Sequence, residues 1–116
     1  MPLKKEVHVT QTTIDDYGRI NGDNDIIHYD HAYALERGFR GTLAHGLMVM
    51  AYAAELGAKR HGADWFRSGE IEVKWIGPVC PGDDLSVVLD DNGQINATVG
   101  EGPVMVGHAA LATQDG

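Results

Sequence analysis

From Gly46 the chain reads Leu47-Met48-Val49-Met50-Ala51-Tyr52-Ala53-Ala54-Glu55-Leu56-Gly57, a run that is apolar almost all round. A helix of that composition is usually buried on several sides, so the rest of the chain must supply its cover. Continued to about Arg60, it would be ~22 Å long by its rise per residue, enough to cross a small domain. Gly57 is either an interior position, costing about 1 kcal/mol against alanine, or the helix end. Gly62 is the later candidate stop.

The cover is legible on both sides of that run. Residues Glu6 to Thr12 alternate, with Val7 and Val9 on one side and His8 and Thr10 on the other, the period of a half-buried strand. Thr13 can cap a short helix carrying Asp15 and Asp16 in its first turn, with Ile14, Tyr17 and Ile20 on one face, leading into the turn Asn21-Gly22-Asp23. Asp30 is a good N-cap for a second short helix, His31 to Arg37, which Gly38 can end in the left-handed conformation; Phe39 to Ala44 is then a loop. Beyond the long helix, Glu70 to Ile76 alternates, and Gly77-Pro78 and Pro81-Gly82 mark turns. Leu85 to Leu89, Gln94 to Val99 and Val104 to Ala112 follow as strands, the first pair joined by the hairpin turn Asp91-Asn92-Gly93. Strands grouped around one helical region imply an α+β fold: an antiparallel sheet of about five strands wrapped around a long central helix, a hot-dog arrangement. At 116 residues this should be one domain spanning 1–116.

Charge and motif content exclude several classes. The formal net charge is -8, so phosphate-backbone affinity, which rests on clustered Lys and Arg, is not expected and nucleic acid is not a partner. Lys4-Lys5, Lys59-Arg60, Arg67 and Lys74 still leave room for a small anionic ligand. Cys80 is the only cysteine, so no intrachain disulfide can form. Without a signal-like apolar region or a run of about 18 apolar residues, the expected setting is the cytoplasm and not a membrane. The six histidines show no HExxH or cysteine-rich spacing, so no metal is expected. A nucleotide-binding glycine fingerprint and a Gly-x-Ser-x-Gly elbow are both missing, so no bound cofactor is expected.

The chemistry concentrates between Asn21 and Gly46. Taken alone, Asp23 is a turn former or cap, and His28 a histidine hydrogen-bonded to backbone. A carboxylate and an imidazole five residues apart are also an acid/base pair, able to hold one water between them and share two proton transfers. Gly46 opens the long helix, whose first amides lack intrahelical partners and carry a favourable dipole; as glycine it lets a carbonyl come close. His45 either meets a substrate or braces the loop before the helix. Met50 is core or pocket lining, and Tyr52 either lines a tunnel or is packed, with Leu47 beside them.

Gly22-Asp23-Asn24-Asp25-Ile26-Ile27-His28-Tyr29-Asp30 resembles the hydratase motif Gly-Asp-x-Asn-Pro-(Leu/Ile)-His-x-Asp of the MaoC-like family, the (R)-specific enoyl-CoA hydratases. The likeness continues through Ala44-His45-Gly46-Leu47 and through Lys74-Trp75-Ile76-Gly77-Pro78-Val79-Cys80-Pro81-Gly82-Asp83, covering most of the chain. The resemblance implies that Asp23 and His28 are the catalytic pair and that the Gly46 amide holds the thioester oxygen. The implied reaction is reversible hydration of a trans-2-enoyl-CoA to the (R)-3-hydroxyacyl-CoA, with coenzyme A entering as part of the substrate. His45, Leu47, Met50 and Tyr52 would then be substrate-binding. The chain departs from the pattern at Asp25, where the family has asparagine, at Ile26, where it has proline, and at Ala54, which takes the place of a small hydroxyl residue on the central helix. Those departures keep a second reading open, a weakly active or non-catalytic subunit of a heteromeric hydratase; a hot-dog thioesterase is a third. A domain this small leaves a sheet face and edge uncovered, so at least a homodimer is expected.

Overall fold

The computed structural model describes residues 1–112. Five strands, β1 (Leu3–His8), β2 (Gly69–Trp75), β3 (Asp84–Leu89), β4 (Gln94–Val99) and β5 (Gly102–Leu111), form one antiparallel sheet in the order β1-β3-β4-β5-β2. The helices are α1 (Gln11–Asn21), α2 (His31–Glu36), α3 (Gly46–His61) and α4 (Ala63–Ser68), with a 3-10 turn at Ile26–His28. The sheet wraps the long helix α3, so the fold is the α+β hot-dog arrangement that the element order predicts.

Alternation builds the core. Leu85, Val87 and Leu89 of β3, Ile95 and Ala97 of β4, and Met105 and Ala109 of β5 point onto α3, where Met48, Val49, Ala53 and Leu56 meet them, all buried. Helix α3 differs from its expectation on one side. Leu47 is 53% exposed and Ala51 is exposed, with Ala54 and Ala58 half-buried behind them. These four lie on one helical stripe, the side turned away from the sheet, where no element of the described residues covers them. Gly57 is interior, and the reason is packing: a Cβ there would meet the Trp65 indole at 2.7 Å. Helix α4, which holds Trp65, is too short to leave a periodicity signal and was not anticipated.

The N-terminal elements start earlier than expected. Strand β1 covers Leu3–His8, not Glu6 to Thr12, because the Thr10 side chain accepts from Thr13 N–H and starts α1 at Gln11. Asp15 and Asp16 therefore sit in the second turn of α1, not the first. Asp30 does cap α2, accepting from Tyr33 N–H, and Gly38 has φ 89°. No helix of the described residues is long and apolar enough to cross a membrane.

Candidate active site

Helix α1 delivers the chain to the site and stops at Gly22, which takes the left-handed conformation at φ 77°. Asn21 Oδ1 accepts from Asp23 N–H at 2.9 Å, Asp23 Oδ1 from Asp25 N–H at 3.0 Å, and Asp25 Oδ1 from Ile27 N–H at 3.1 Å. Three successive side-chain-to-backbone bonds thus shape the turn. They also account for Asp25: its carboxylate caps the 3-10 turn that carries His28, while Ile26 is half-exposed beside it.

The other oxygen of Asp23, Oδ2, is the meeting point of the cluster. It lies 3.2 Å from His28 Nε2 and 3.3 Å from His45 Nδ1. Each histidine is anchored through its far nitrogen, His28 Nδ1 to the Leu43 carbonyl at 2.8 Å and His45 Nε2 to the Ile14 carbonyl at 3.2 Å. Side-chain exposure falls from 39% at Asp23 to 12% at His28 and 2% at His45. Tyr29 donates its hydroxyl to the Asp23 carbonyl and passes directly against Gly18 of α1, where a Cβ would overlap the phenol. The amide of Asp25, donating to Asp23, holds the Asp23 carboxyl below its usual range; burial opposes this, and His45 and His28 add to it.

The polar atoms of Asp23, His28 and His45 lie within 4.8 Å of one another, so these are the described residues whose donors could meet at a metal ion. The two rings, however, lie nearly face to face, with centroids 3.9 Å apart and planes at 30°. With their other nitrogens on the carbonyls of Leu43 and Ile14, the two rings turn one nitrogen each toward Asp23 Oδ2.

Beside the pair is a largely apolar cavity of about 240 Å³, lined among others by His28, Leu43, Gly46, Val49, Trp75 and Val104. Gly46 opens α3 there, and this helix start has no side-chain cap, unlike those of α1 and α2. Gly46 lines the cavity, and while Met48 N–H donates to the His45 carbonyl at 3.0 Å, the N–H groups of Gly46 and Leu47 have no partner among the described residues. Trp75 Nε1–H donates to the Gly46 carbonyl at 2.8 Å, and a Cβ at Gly46 would meet the indole at 2.9 Å. A larger groove of about 480 Å³ between β1 and β3 is open, edged by Glu6, His8 and Asp84, and does not include the Asp23 cluster.

Asp23, His28 and Gly46 are thus brought together. The His45 side chain turns away from the cavity, onto Asp23 and α1; Leu47 is on the outer stripe of α3, and Met50 and Tyr52 pack partly buried against the core. None of these four lines the cavity. Among the residues that do, and that sequence reasoning did not single out as site residues, are Leu43, Val49, Trp75 and Val104. For Trp75 the signal was present, since the alternation of β2 places it with Ile71 and Val73; what sequence could not supply was its meeting with Gly46, 29 positions away.

Solved structures share this fold. An (R)-hydratase from A. caviae involved in PHA biosynthesis superposes with a TM-score of 0.79 at 13% identity, covering 97% of this chain and 95% of that one. The ChsH1-ChsH2 complex from Mycobacterium tuberculosis gives 0.80 at 13% identity, over 98% of this chain and 96% of that one. The R-hydratase PhaJ1 from Pseudomonas aeruginosa gives 0.74 at 19% identity, over 99% and 81%. No curated protein matches the sequence. The profile of the MaoC-like domain family does match, over residues 1–111, and the chain belongs to that family.

Proposed function

We propose that the protein is an acyl-thioester hydratase/dehydratase that interconverts a trans-2-enoyl-CoA and its (R)-3-hydroxyacyl-CoA. One observation carries the reading: the Asp23 carboxylate and His28 imidazole, 3.2 Å apart, stand next to an apolar cavity that also holds the uncapped start of α3 at Gly46. Water held between Asp23 and His28 adds its oxygen to the β-carbon and gives up a proton to the pair. The pair returns a proton to the α-carbon, so the site ends as it began. Negative charge that builds on the thioester oxygen during addition is met by the Gly46 N–H and the positive end of α3. The acyl chain takes the apolar cavity, and its length, branching or ring content follows from how far that cavity extends in the assembled protein.

Most basic side chains are already engaged. Lys4, Lys5, Arg19, Arg40 and Arg67 pair with carboxylates, and Arg60 donates to backbone carbonyls of Met1, Leu89 and Asp90. Among the described residues this leaves Arg37, which stacks on Tyr33, together with Lys59 and Lys74, for coenzyme A phosphates. A homodimer formed through the exposed edge strand β2 and its neighbours would cover Trp75, 47% exposed, and Ile76, 45% exposed, next to the cavity. We place this assembly in the cytoplasm, where a single buried thiol, Cys80, stays reduced.

The test is the loss of ultraviolet absorbance of crotonyl-CoA or a longer enoyl-CoA on adding enzyme, repeated with Asp23→Asn and His28→Ala. A second reading, a subunit active only in a heteromer, is favoured by alanine at position 54 and by the exposed stripe of α3. Protein inactive alone that gains activity with a partner would establish it; release of free thiol from an acyl-CoA would instead mark a thioesterase.

A further inference from the structure

His45 is nearly sealed from solvent, yet both of its ring nitrogens face oxygen atoms. Nε2 lies 3.2 Å from the carbonyl of Ile14 and Nδ1 lies 3.3 Å from Asp23 Oδ2. A carbonyl only accepts, so Nε2 carries a hydrogen; a neutral ring would then point the bare lone pair of Nδ1 at a carboxylate oxygen. His28 has the same pattern, with Nδ1 committed to the Leu43 carbonyl and Nε2 facing the same Oδ2. Rings stacked at a centroid distance of 3.9 Å cannot both carry charge without repelling each other, so one second proton serves the two. Burial opposes charge on either ring, and the carboxylate contact offsets it; the ring whose contact no water can relieve takes the proton. His28 lines the cavity, where a water can bridge its Nε2 to the carboxylate; His45, 2% exposed, has no such relief.

We propose that His45 is a positioning residue for Asp23: it donates from both nitrogens at once, to the Ile14 carbonyl and to Asp23 Oδ2, and leaves the Nε2 lone pair of His28 to take the proton of the reacting water. The other groups facing His45 fit this assignment. Tyr17 of α1 and Tyr29 lie at ring-centroid distances of 5.1 Å and 6.0 Å, and among the described residues the carboxylate that meets the ring is that of Asp23. Gly18 makes the contact feasible, since a Cβ there would come within 3.3 Å of His45 Nε2. With alanine at position 54, His45 also supplies the second side-chain hold on Asp23 that a hydroxyl on the central helix would otherwise give. The inference rests on the hydratase reading for what the positioning achieves, but its structural content is independent of turnover.

Nitrogen-15 NMR of the histidine rings in the wild-type protein at neutral pH tests it directly, with His45→Asn used to assign the signals. The expected result is hydrogen on both nitrogens of His45 and on Nδ1 alone of His28; a neutral His45 ring overturns the proposal. In kinetics, His45→Leu should lower kcat by about 10- to 100-fold with KM nearly unchanged, the loss of one charge-assisted bond that does not touch substrate. His45→Asn, which keeps a donor near the Nδ1 position, should recover most of that loss. Asn no better than Leu contradicts the proposal. If neither wild type nor variants hydrate an enoyl-CoA, the hydratase reading fails while the NMR result still decides the role of His45.

Discussion

In the segment from Asn21 to His45 side chains share the holding of the backbone with short local turns, whereas from Asp84 to Leu111 the backbone is held chiefly by its own ladder. The first segment has Asx bonds at Asn21, Asp23, Asp25 and Asp30, and two histidines tied to the carbonyls of Ile14 and Leu43. The second has antiparallel pairing of β3, β4 and β5, with one register shift between Ala97 and Thr98, over the buried Leu85, Val87, Leu89, Ile95 and Met105. Ladders resist point changes in polar side chains but depend on packing; the Asx-bonded loop has little packing to lose and depends on individual oxygens and nitrogens. The chemistry is thus housed in the region where single polar atoms matter most, and the sheet serves as the rigid floor against which they are set.

That contrast can be broken from either side. Asp23→Asn should give the largest effect, a fall in kcat of about 10²–10⁴-fold, the usual contribution of an acid/base group, with the thermal midpoint little changed. Steady-state rates and calorimetry on the same preparation check both halves. Gly46→Ala should cost on the order of 10²-fold in kcat/KM, because the added Cβ pushes against the Trp75 indole and shifts the start of α3 by a fraction of an ångström to an ångström. A crystal structure of the variant would show the displaced indole.

Leu56→Ala should do the reverse, losing about 2–5 kcal/mol of stability through the cavity left between α3 and the sheet while the remaining folded molecules keep their kcat. Urea unfolding followed by activity per folded molecule separates the two. Asp30→Ala, which removes the cap of α2, should be milder, about 1 kcal/mol.

Acid sensitivity gives the gentlest probe. The Arg40 guanidinium, bonded to Asp83 at 2.9 and 3.0 Å, holds that carboxyl below its usual range, and Asp23 is lowered by the Asp25 amide. A carboxyl lowered in the folded state contributes stability above the unfolded carboxylate pKa, and that contribution is lost as pH falls toward the folded value. Arg40→Ala should therefore narrow the gap between wild type and variant stability as pH drops from 7 to 3. A constant difference across that range would show that the pair does not supply it.

The same contrast explains what could be read from the sequence. Alternation and turn chemistry made the strands visible, because period-two patterns such as Leu85 to Leu89 are set by burial on one face, and Asp91-Asn92-Gly93 by hairpin geometry. Helix α3 was legible from its unbroken apolar run, although its outer stripe at Leu47 and Ala51 stayed open because no neighbouring element of the described residues reaches that side. Strand β1 was misplaced by three or four residues, since Thr10 competes for the role of cap and the pattern alone does not weigh it against Thr13. In the site, the five-residue spacing of Asp23 and His28 on a tight turn was a local signal. The turn of His45 onto the carbonyl of Ile14, 31 residues away, and the seating of Trp75 on Gly46 arise from long-range closure, which no spacing announces.

The most direct measurement is the hydration assay itself, with the product resolved by chiral chromatography. Wild-type protein, supplied with a trans-2-enoyl-CoA, should remove its ultraviolet absorbance, yield the (R)-3-hydroxyacyl-CoA and release no free thiol, while Asp23→Asn and His28→Ala should each slow the change by about 10²-fold or more. Hydration at undiminished rates in both variants would contradict the account.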